Sequence, residues 1–198
     1  MVLAHHVIFT AYGFWLPNDP RGSWSEIVRQ WDVFLHGRAT TTDTRRSVAG
    51  KSHDKARRLA ARSALRYTPV EFTGIQARAI GQAFGRAIAE SGYAVHACSI
   101  LPKHVHMVLG RHAHRAERMI GHLKARATQD LVAAGLHPFV RHRRVDGRFP
   151  SVWAHRAWKV FLNNADEIER AIRYVEMNPV KDGKKPQHWP FVTPWPGI

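Results

Sequence analysis

Two apolar runs separated by a Pro-Lys dipeptide constrain the fold of this chain more than any other feature. They cover residues 93–101 and 104–110 and predict two strands joined by a tight turn. Apolar residues at helical spacing precede them at 73–90, with Thr73 as N-cap, and follow them at about 113–134. The two strands are therefore predicted to lie, along the chain, between two amphipathic helices.

Two further strands and a last helix complete the pattern. HHVIFTAY at 5–12 and the segment around SVWAHRAWKVFLNN are typical of strands, and the last helix begins near Asn163 or Asn164. Residues 26–72 form an insertion. The order β, insertion, α, β, β, α, β, α predicts an α+β fold. With the last helix set aside, it matches a ferredoxin-like split βαβ antiparallel sheet with helices on one face.

The composition fits one globular domain over residues 1–198 that binds a polyanion. The hydrophobic share is 44%, and 30 Lys and Arg against 15 acids give a formal charge of +15. A polyanion offsets the self-repulsion of such a chain, and nucleic acid is favoured over an anionic membrane surface. No apolar run approaches the roughly 20 residues of a membrane span, and no signal peptide is evident. The single cysteine, Cys98, fits a core position, and a cytoplasmic, nucleoid-associated protein is expected.

A histidine pair lies in the second strand of the central run, in LPKHVHMVL. Strand alternation points His104 and His106 to one face, with Val105 buried behind them. Two imidazoles this close can share a metal, although the spacing alone is a weak signal in a chain with 14 histidines. If helices cover the other face of the sheet, the histidines line an open, solvent-facing surface.

The last helix carries a tyrosine and an asparagine four residues apart, in RYVEMNPVK. Tyr174 points away from the apolar stripe of Ile168, Ile172 and Val175, so core packing does not explain it. The alternative is a surface tyrosine, with Asn178 as a C-terminal cap. The proline after Asn178 disfavours helical geometry there, which would distort the spacing.

A tyrosine suits covalent phosphotransfer because the phosphotyrosine keeps the energy of the broken phosphodiester. The reference pKa of its phenol is near 10, so attack at neutral pH needs a metal or another cation nearby. Asn178 would supply an oxygen ligand beside the nitrogens of His104 and His106. Such a site suits Mg²⁺ or Mn²⁺ with open positions for phosphate oxygens, and zinc stays open on ligand type.

These motifs together resemble the single-tyrosine transposases of the HUH nuclease superfamily, in particular the REP-associated tyrosine transposase branch. The likeness is carried by LPKHVHMVL, RYVEMNPVKDG, VWAHRAWKVFLNN and the tail HWPF, and it leaves residues 26–72 without a counterpart. It implies His104 and His106 as metal ligands, Tyr174 as the nucleophile and Asn178 as the third ligand, where a glutamine is commoner. It also implies single-stranded DNA with a hairpin as substrate, a 5′-phosphotyrosine intermediate, and a homodimer whose tyrosine helix can dock on the partner's histidines.

Basic residues outside these motifs are predicted to contact DNA phosphates. They occur in the insertion and around the second long helix, as Arg45, Arg46, Arg57, Arg58, Arg115, Arg118, Lys124, Arg126, Arg141, Arg143 and Arg144. The insertion is either a solvated or mobile segment or an arm that grips phosphates. Trp15, Trp24 and Trp31 could stack on unpaired bases, whereas core packing is favoured for Trp153 and Trp158.

The leading hypothesis is thus a metal-dependent single-strand DNA endonuclease and strand transferase, similar to a transposase. One alternative is a domesticated, non-catalytic nucleic-acid-binding protein that kept the fold. Another is a nicking enzyme of the relaxase or replication-initiator type, which the short chain and the lack of a second tyrosine in the helix disfavour.

Overall fold

A computed structural model describes residues 1–44 and 47–197 and contains a four-stranded sheet. The strands are β1 (Ala4–Ala11), β2 (Val95–Ile100), β3 (His104–Gly110) and β4 (Trp153–Leu162). Their order across the sheet is β2-β3-β1-β4, and every pair is antiparallel. This is the strand order of a split βαβ sheet, so the predicted α+β fold is confirmed.

The three predicted helices are present in the predicted order, and two shorter ones lie in the described part of the insertion. They are α1 (Trp31–Phe34), α2 (Lys55–Ser63), α3 (Gly74–Ser91), α4 (Ala116–Ala133) and α5 (Ala165–Lys181). Thr73 caps α3, as the sequence predicted, and forms a capping box with Gln76, while Asn164 caps α5. Among residues 1–44 and 47–197, no helix has the length and apolar character needed to cross a membrane.

One face of the sheet carries the main core. Alternation directs Val7, Phe9 and Met107 toward α3 and α4, where all three are fully buried. Val105 belongs to the same cluster, behind the histidines as predicted. Cys98 is also buried there and is a core residue, as its sequence context indicated.

The other face is partly covered by α5. Ile168 and Val175 of this helix pack on Ala97 of β2 and Val108 of β3 in a second, smaller cluster. Helices therefore lie on both faces, α3 and α4 on one and α5 on the other. The histidine face is therefore only partly open to solvent, where the sequence predicted an open surface.

The described part of residues 26–72 is packed against the segment that precedes it. Leu16, Val33 and Ala61 form a small buried cluster that joins the first loop to α1 and α2. The side-chain amide of Asn18 donates to the carbonyl of Val33 at 2.8 Å, and that of Gln30 donates to the carbonyl of Ala64 at 2.9 Å. This layer stands beside the sheet and forms one wall of the cleft described below.

The C-terminal tail closes the outer edge of the sheet. Gln187 accepts a hydrogen bond from the backbone N–H of Ile100 and donates to its carbonyl, both at 2.8 Å. Trp189 packs on α3 at Gly81, where a Cβ atom would collide with the indole. The tail therefore pairs with strand β2, which otherwise presents a free edge.

Candidate active site

The histidine pair occupies the start of β3, one of the two central strands. His106 lies opposite Ile8 of β1 and Ser99 of β2 in the strand register, and His104 lies opposite Thr10. The two rings are 4.8 Å apart between centroids and nearly perpendicular. Strand alternation thus brings both imidazoles to one face, as the sequence predicted.

Burial keeps both imidazoles neutral. His106 is only 4% exposed, and Phe14 stacks on the ring of His104 at 5.1 Å. Desolvation lowers the pKa of His104 to about 4, and desolvation with two neighbouring imidazoles lowers the pKa of His106 further. Because a neutral imidazole is the form that binds metal, both side chains are ready to act as ligands at neutral pH.

A third histidine, His6 of β1, belongs to this site and was not predicted. Its Nε2 atom is 3.1 Å from Nδ1 of His106, and the two rings stack at 5.4 Å. Burial lowers the pKa of His6 to about 4. The alternation of HHVIFTAY could have revealed it, because Val7 and Phe9 take the core face and leave His6 on the other.

Tyr174 of α5 rests on this histidine cluster. Its ring centroid is 5.6 Å from those of His6 and His106, and the side chain stays 41% exposed. The tyrosine contacts histidines of its own chain, so this arrangement needs no partner subunit. Burial, and secondarily the charge of Asp182, raise the pKa of the phenol. The ammonium of Lys181 lies 4.7 Å from the ring centre, on the same helix.

Asn178 is a buried helical residue and does not cap the helix. Helix α5 continues through Pro179 to Lys181, and its C-cap is Asp182. The four-residue spacing between Tyr174 and Asn178 is therefore undistorted. The alternative in which Asn178 caps the helix is wrong, whereas Tyr174 itself is 41% exposed. Asn178 lines the same cleft as Tyr174 and the histidines.

The donor atoms of this site suit a small cation. Nδ1 of His104, Nδ2 of Asn178 and Oγ of Ser99 are buried without a hydrogen-bond partner in the described part of the chain. Rotation of the Asn178 amide by half a turn places an oxygen at the unpaired position. Within residues 1–44 and 47–197 no three His, Cys, Asp or Glu side chains form a metal cluster, so the predicted ligand set depends on this amide.

A cleft of about 890 Å³ opens beside Tyr174. Its floor is the histidine face of the sheet, and its walls are α5 and the loop residues 12–17 and 22–30. Aromatic and apolar side chains dominate the lining, and four arginines contribute to it: Arg29, Arg144, Arg156 and Arg170. Of these four, only Arg144 was predicted to contact DNA.

The other predicted DNA contacts are spread over the surface. Arg115, at the N-cap of α4, and Arg118, in its first turn, are exposed, and Arg126 pairs with Glu90 at 2.7 Å. Arg141 and Arg143 are exposed after α4, near the cleft residue Arg144. Because α4 covers the opposite face of the sheet, its arginines do not line the cleft.

Two of the arginines in the insertion that were predicted to contact DNA form hydrogen bonds within the protein. Arg57 donates to the carbonyl of His36 at 2.8 Å, and Arg58 donates to His53 at 3.0 Å. Arg45 and Arg46 lie outside the described residues.

Lys124, predicted to contact DNA, is engaged within the protein. Its ammonium turns inward and donates to the carbonyls of Ala154 at 2.9 Å and Arg156 at 3.3 Å. It also lies 5.5 Å from the ring centre of Phe9. Burial lowers its pKa to about 8. Lys124 therefore joins α4 to β4.

Comparison with solved structures finds transposases, the class that the motifs resemble. One is a REP-associated tyrosine transposase bound to a REP hairpin, with 14% identity, a TM-score of 0.49, and coverage of 96% of this chain and 74% of that one. Another is a proposed transposase from Deinococcus radiodurans, with 11% identity, a TM-score of 0.43, and coverage of 93% and 92%. No protein-family model matches the sequence, and no curated protein matches it significantly.

Proposed function

We propose that this protein is a metal-dependent single-strand DNA endonuclease and strand transferase in which Tyr174 is the nucleophile. One observation carries the proposal: a half-exposed tyrosine packs at 5.6 Å on two neutral, buried histidines. The formal charge of +15 favours a polyanionic substrate, and four arginines line the cleft beside the tyrosine.

The proposed reaction exchanges one phosphodiester for another. Oη of Tyr174 attacks a backbone phosphorus, the Oη–P bond forms, and the bond from phosphorus to the 3′ oxygen breaks. The phenol loses its proton, the 3′ oxygen gains one, and the 5′ end stays attached to the protein as a phosphotyrosine. A second 3′-hydroxyl can reverse the step and join a different strand, because no phosphodiester energy has been lost.

Burial and the charge of Asp182 raise the pKa of Tyr174, so the phenol needs positive charge nearby to react at neutral pH. The neutral imidazoles of His104 and His106 and the amide oxygen of Asn178 would hold Mg²⁺ or Mn²⁺. When bound, such an ion polarises a phosphate oxygen and offsets developing negative charge. Lys181, near the tyrosine ring, adds to the positive field. His6 orients His106 through the hydrogen bond between their rings.

The resemblance of the motifs points to a hairpin next to the cleaved single strand as the substrate. A homodimer is part of the same resemblance and stays a prediction. Since Tyr174 already contacts the histidines of its own chain, one subunit can carry a whole site. Light scattering of the purified protein measures its oligomeric state directly.

Covalent capture of DNA tests the proposal. With a hairpin oligonucleotide carrying a single-stranded flank and Mn²⁺ or Mg²⁺, we expect a protein–DNA adduct on a denaturing gel. Tyr174→Phe should abolish the adduct and leave DNA affinity within about twofold, since only the nucleophilic oxygen is removed. Tyr93→Phe is a matched control because Tyr93 is buried in the core, at the ring of His122.

An adduct that survives Tyr174→Phe would contradict the assignment of the nucleophile. Tight binding with no adduct in either metal would instead support the non-catalytic alternative.

A further inference from the structure

An aromatic row runs from the catalytic tyrosine into the cleft. The ring of Trp158 on β4 lies 6.0 Å from His6, which in turn contacts Tyr174. Trp24, from the loop that walls the cleft, meets Trp158 edge-on at 5.8 Å. The row therefore extends from Tyr174 through the sheet face to the opposite wall.

Trp158 is not a core residue, contrary to the expectation from sequence. It lies opposite Ile8 in the register of β1 and β4, on the face that carries the histidines, and is only partly buried. Trp153, by contrast, packs on Phe9 and Phe72 in the main core, as expected. The difference arises because strand alternation sends the two residues to opposite faces.

Trp158 also carries a hydrogen-bond donor that is unpaired in the described part of the chain. Its indole Nε1–H is buried and has no hydrogen-bond partner among the described residues. A buried donor without a partner costs free energy unless a ligand or water accepts from it. A ligand with a ring to stack and an acceptor at its edge satisfies both features of this wall.

Positive charge lies around the cleft in a way that suits nucleic acid. Arg29, Arg144 and Arg170 line the cleft and are exposed. Arg170 lies one helical turn before Tyr174 on α5. Arg156 pairs with Glu26 at 3.3 Å and so links β4 to the loop that carries Trp24. The cleft has apolar rings inside and arginines at its border. This arrangement suits a single strand whose bases enter the cleft and whose phosphates stay outside.

We propose that this cleft binds one or two unpaired nucleobases next to the phosphate that Tyr174 attacks, stacked on Trp24 and Trp158. The inference rests on the proposed DNA-cleaving function and adds a site for the flanking bases. A base engaged in a duplex has its faces and edges occupied and cannot enter. The cleft thus predicts a preference for single strands at the cleavage point.

Binding of a fluorescent single-stranded oligonucleotide, measured by anisotropy in the Tyr174→Phe background to prevent cleavage, tests this site. We expect Trp24→Ala and Trp158→Ala each to weaken binding by about 5- to 150-fold, the usual range for loss of one base–aromatic stack. Trp31→Ala is the matched control. Trp31 begins α1, just after the loop that carries Trp24, and stacks on Phe34 outside the cleft, so its loss should change affinity by less than about twofold.

A second measurement varies the DNA, first with the parent protein and then with the Trp24→Ala variant. Single abasic substitutions are placed in turn at each position flanking the cleavage point. One or two of these should weaken binding to the parent protein, and the same ones should cause no further loss with Trp24→Ala. This non-additivity identifies the base that the tryptophans hold.

Equal affinity at every abasic position, or tryptophan variants that bind like Trp31→Ala, would overturn the base-binding cleft. Neither result bears on the covalent adduct of Tyr174, which is measured separately. If no adduct forms but the expected abasic pattern is found, the base-binding cleft is supported and only the proposed nuclease activity is contradicted.

Discussion

At the scale of single residues, the arrangement of three histidines best defines how the site could hold a metal. The Nε2 atom of His6 and the Nδ1 atom of His106 share one hydrogen, and both rings are buried and neutral. If His106 donates from Nδ1, its Nε2 atom keeps a free lone pair that can face a metal. Hydrogen bonding at the remote nitrogen is how proteins usually fix the tautomer of a metal-binding histidine.

Removing the ring of His6 should therefore weaken metal binding without removing a ligand. We expect His6→Ala to lower Mn²⁺ affinity by about 10- to 100-fold in calorimetric titration, and His6→Gln to retain part of it through its amide. His5→Ala is the control, since His5 neighbours His6 in the chain but meets Phe161 edge-on. Unchanged Mn²⁺ affinity in a folded His6→Ala protein would rule out this role.

At the scale of helices and strands, periodicity predicted most of the order and the direction of side chains. It gave α3 with its cap, the strands β2 and β3, and the shared face of His104 and His106. Periodicity could not show what would cover that face, because the position of α5 depends on long-range packing. The inward turn of Lys124 was hidden for the same reason, since its hydrogen-bond acceptors belong to a strand 30 residues away.

The buried ammonium of Lys124 predicts a pH dependence of stability. Its pKa falls from an ordinary 10.5 to about 8 in the folded protein. Between these values the unfolded chain binds more protons, so folding gains free energy as the pH rises. Relative to Lys124→Met, the wild type should gain up to about 3 kcal/mol between pH 8 and pH 10.5. Urea denaturation of both proteins at the two pH values measures this, and a constant difference would contradict it.

At the scale of the whole molecule, one face of the sheet forms the core and the other carries the candidate site. One face buries the main core under α3 and α4, and the other holds the histidines, Tyr174 and the aromatic cleft. The described part of the insertion, which had no counterpart in the resemblance, forms a wall of that cleft. The segment that sequence alone explained least therefore lies next to the proposed chemistry.

The same architecture predicts that a site is completed within one chain. When separately tagged Tyr174→Phe and His106→Ala chains are co-expressed, neither has a whole site of its own. A dimer that docked each tyrosine on its partner's histidines would restore one site and give an adduct. Because Tyr174 lies 5.6 Å from His106 of the same chain, we expect no adduct from the co-purified pair on a denaturing gel. Wild type co-expressed with Tyr174→Phe should still form the adduct, which controls for inactivation by mixing. An adduct from the doubly defective pair would show that subunits exchange their tyrosine helices.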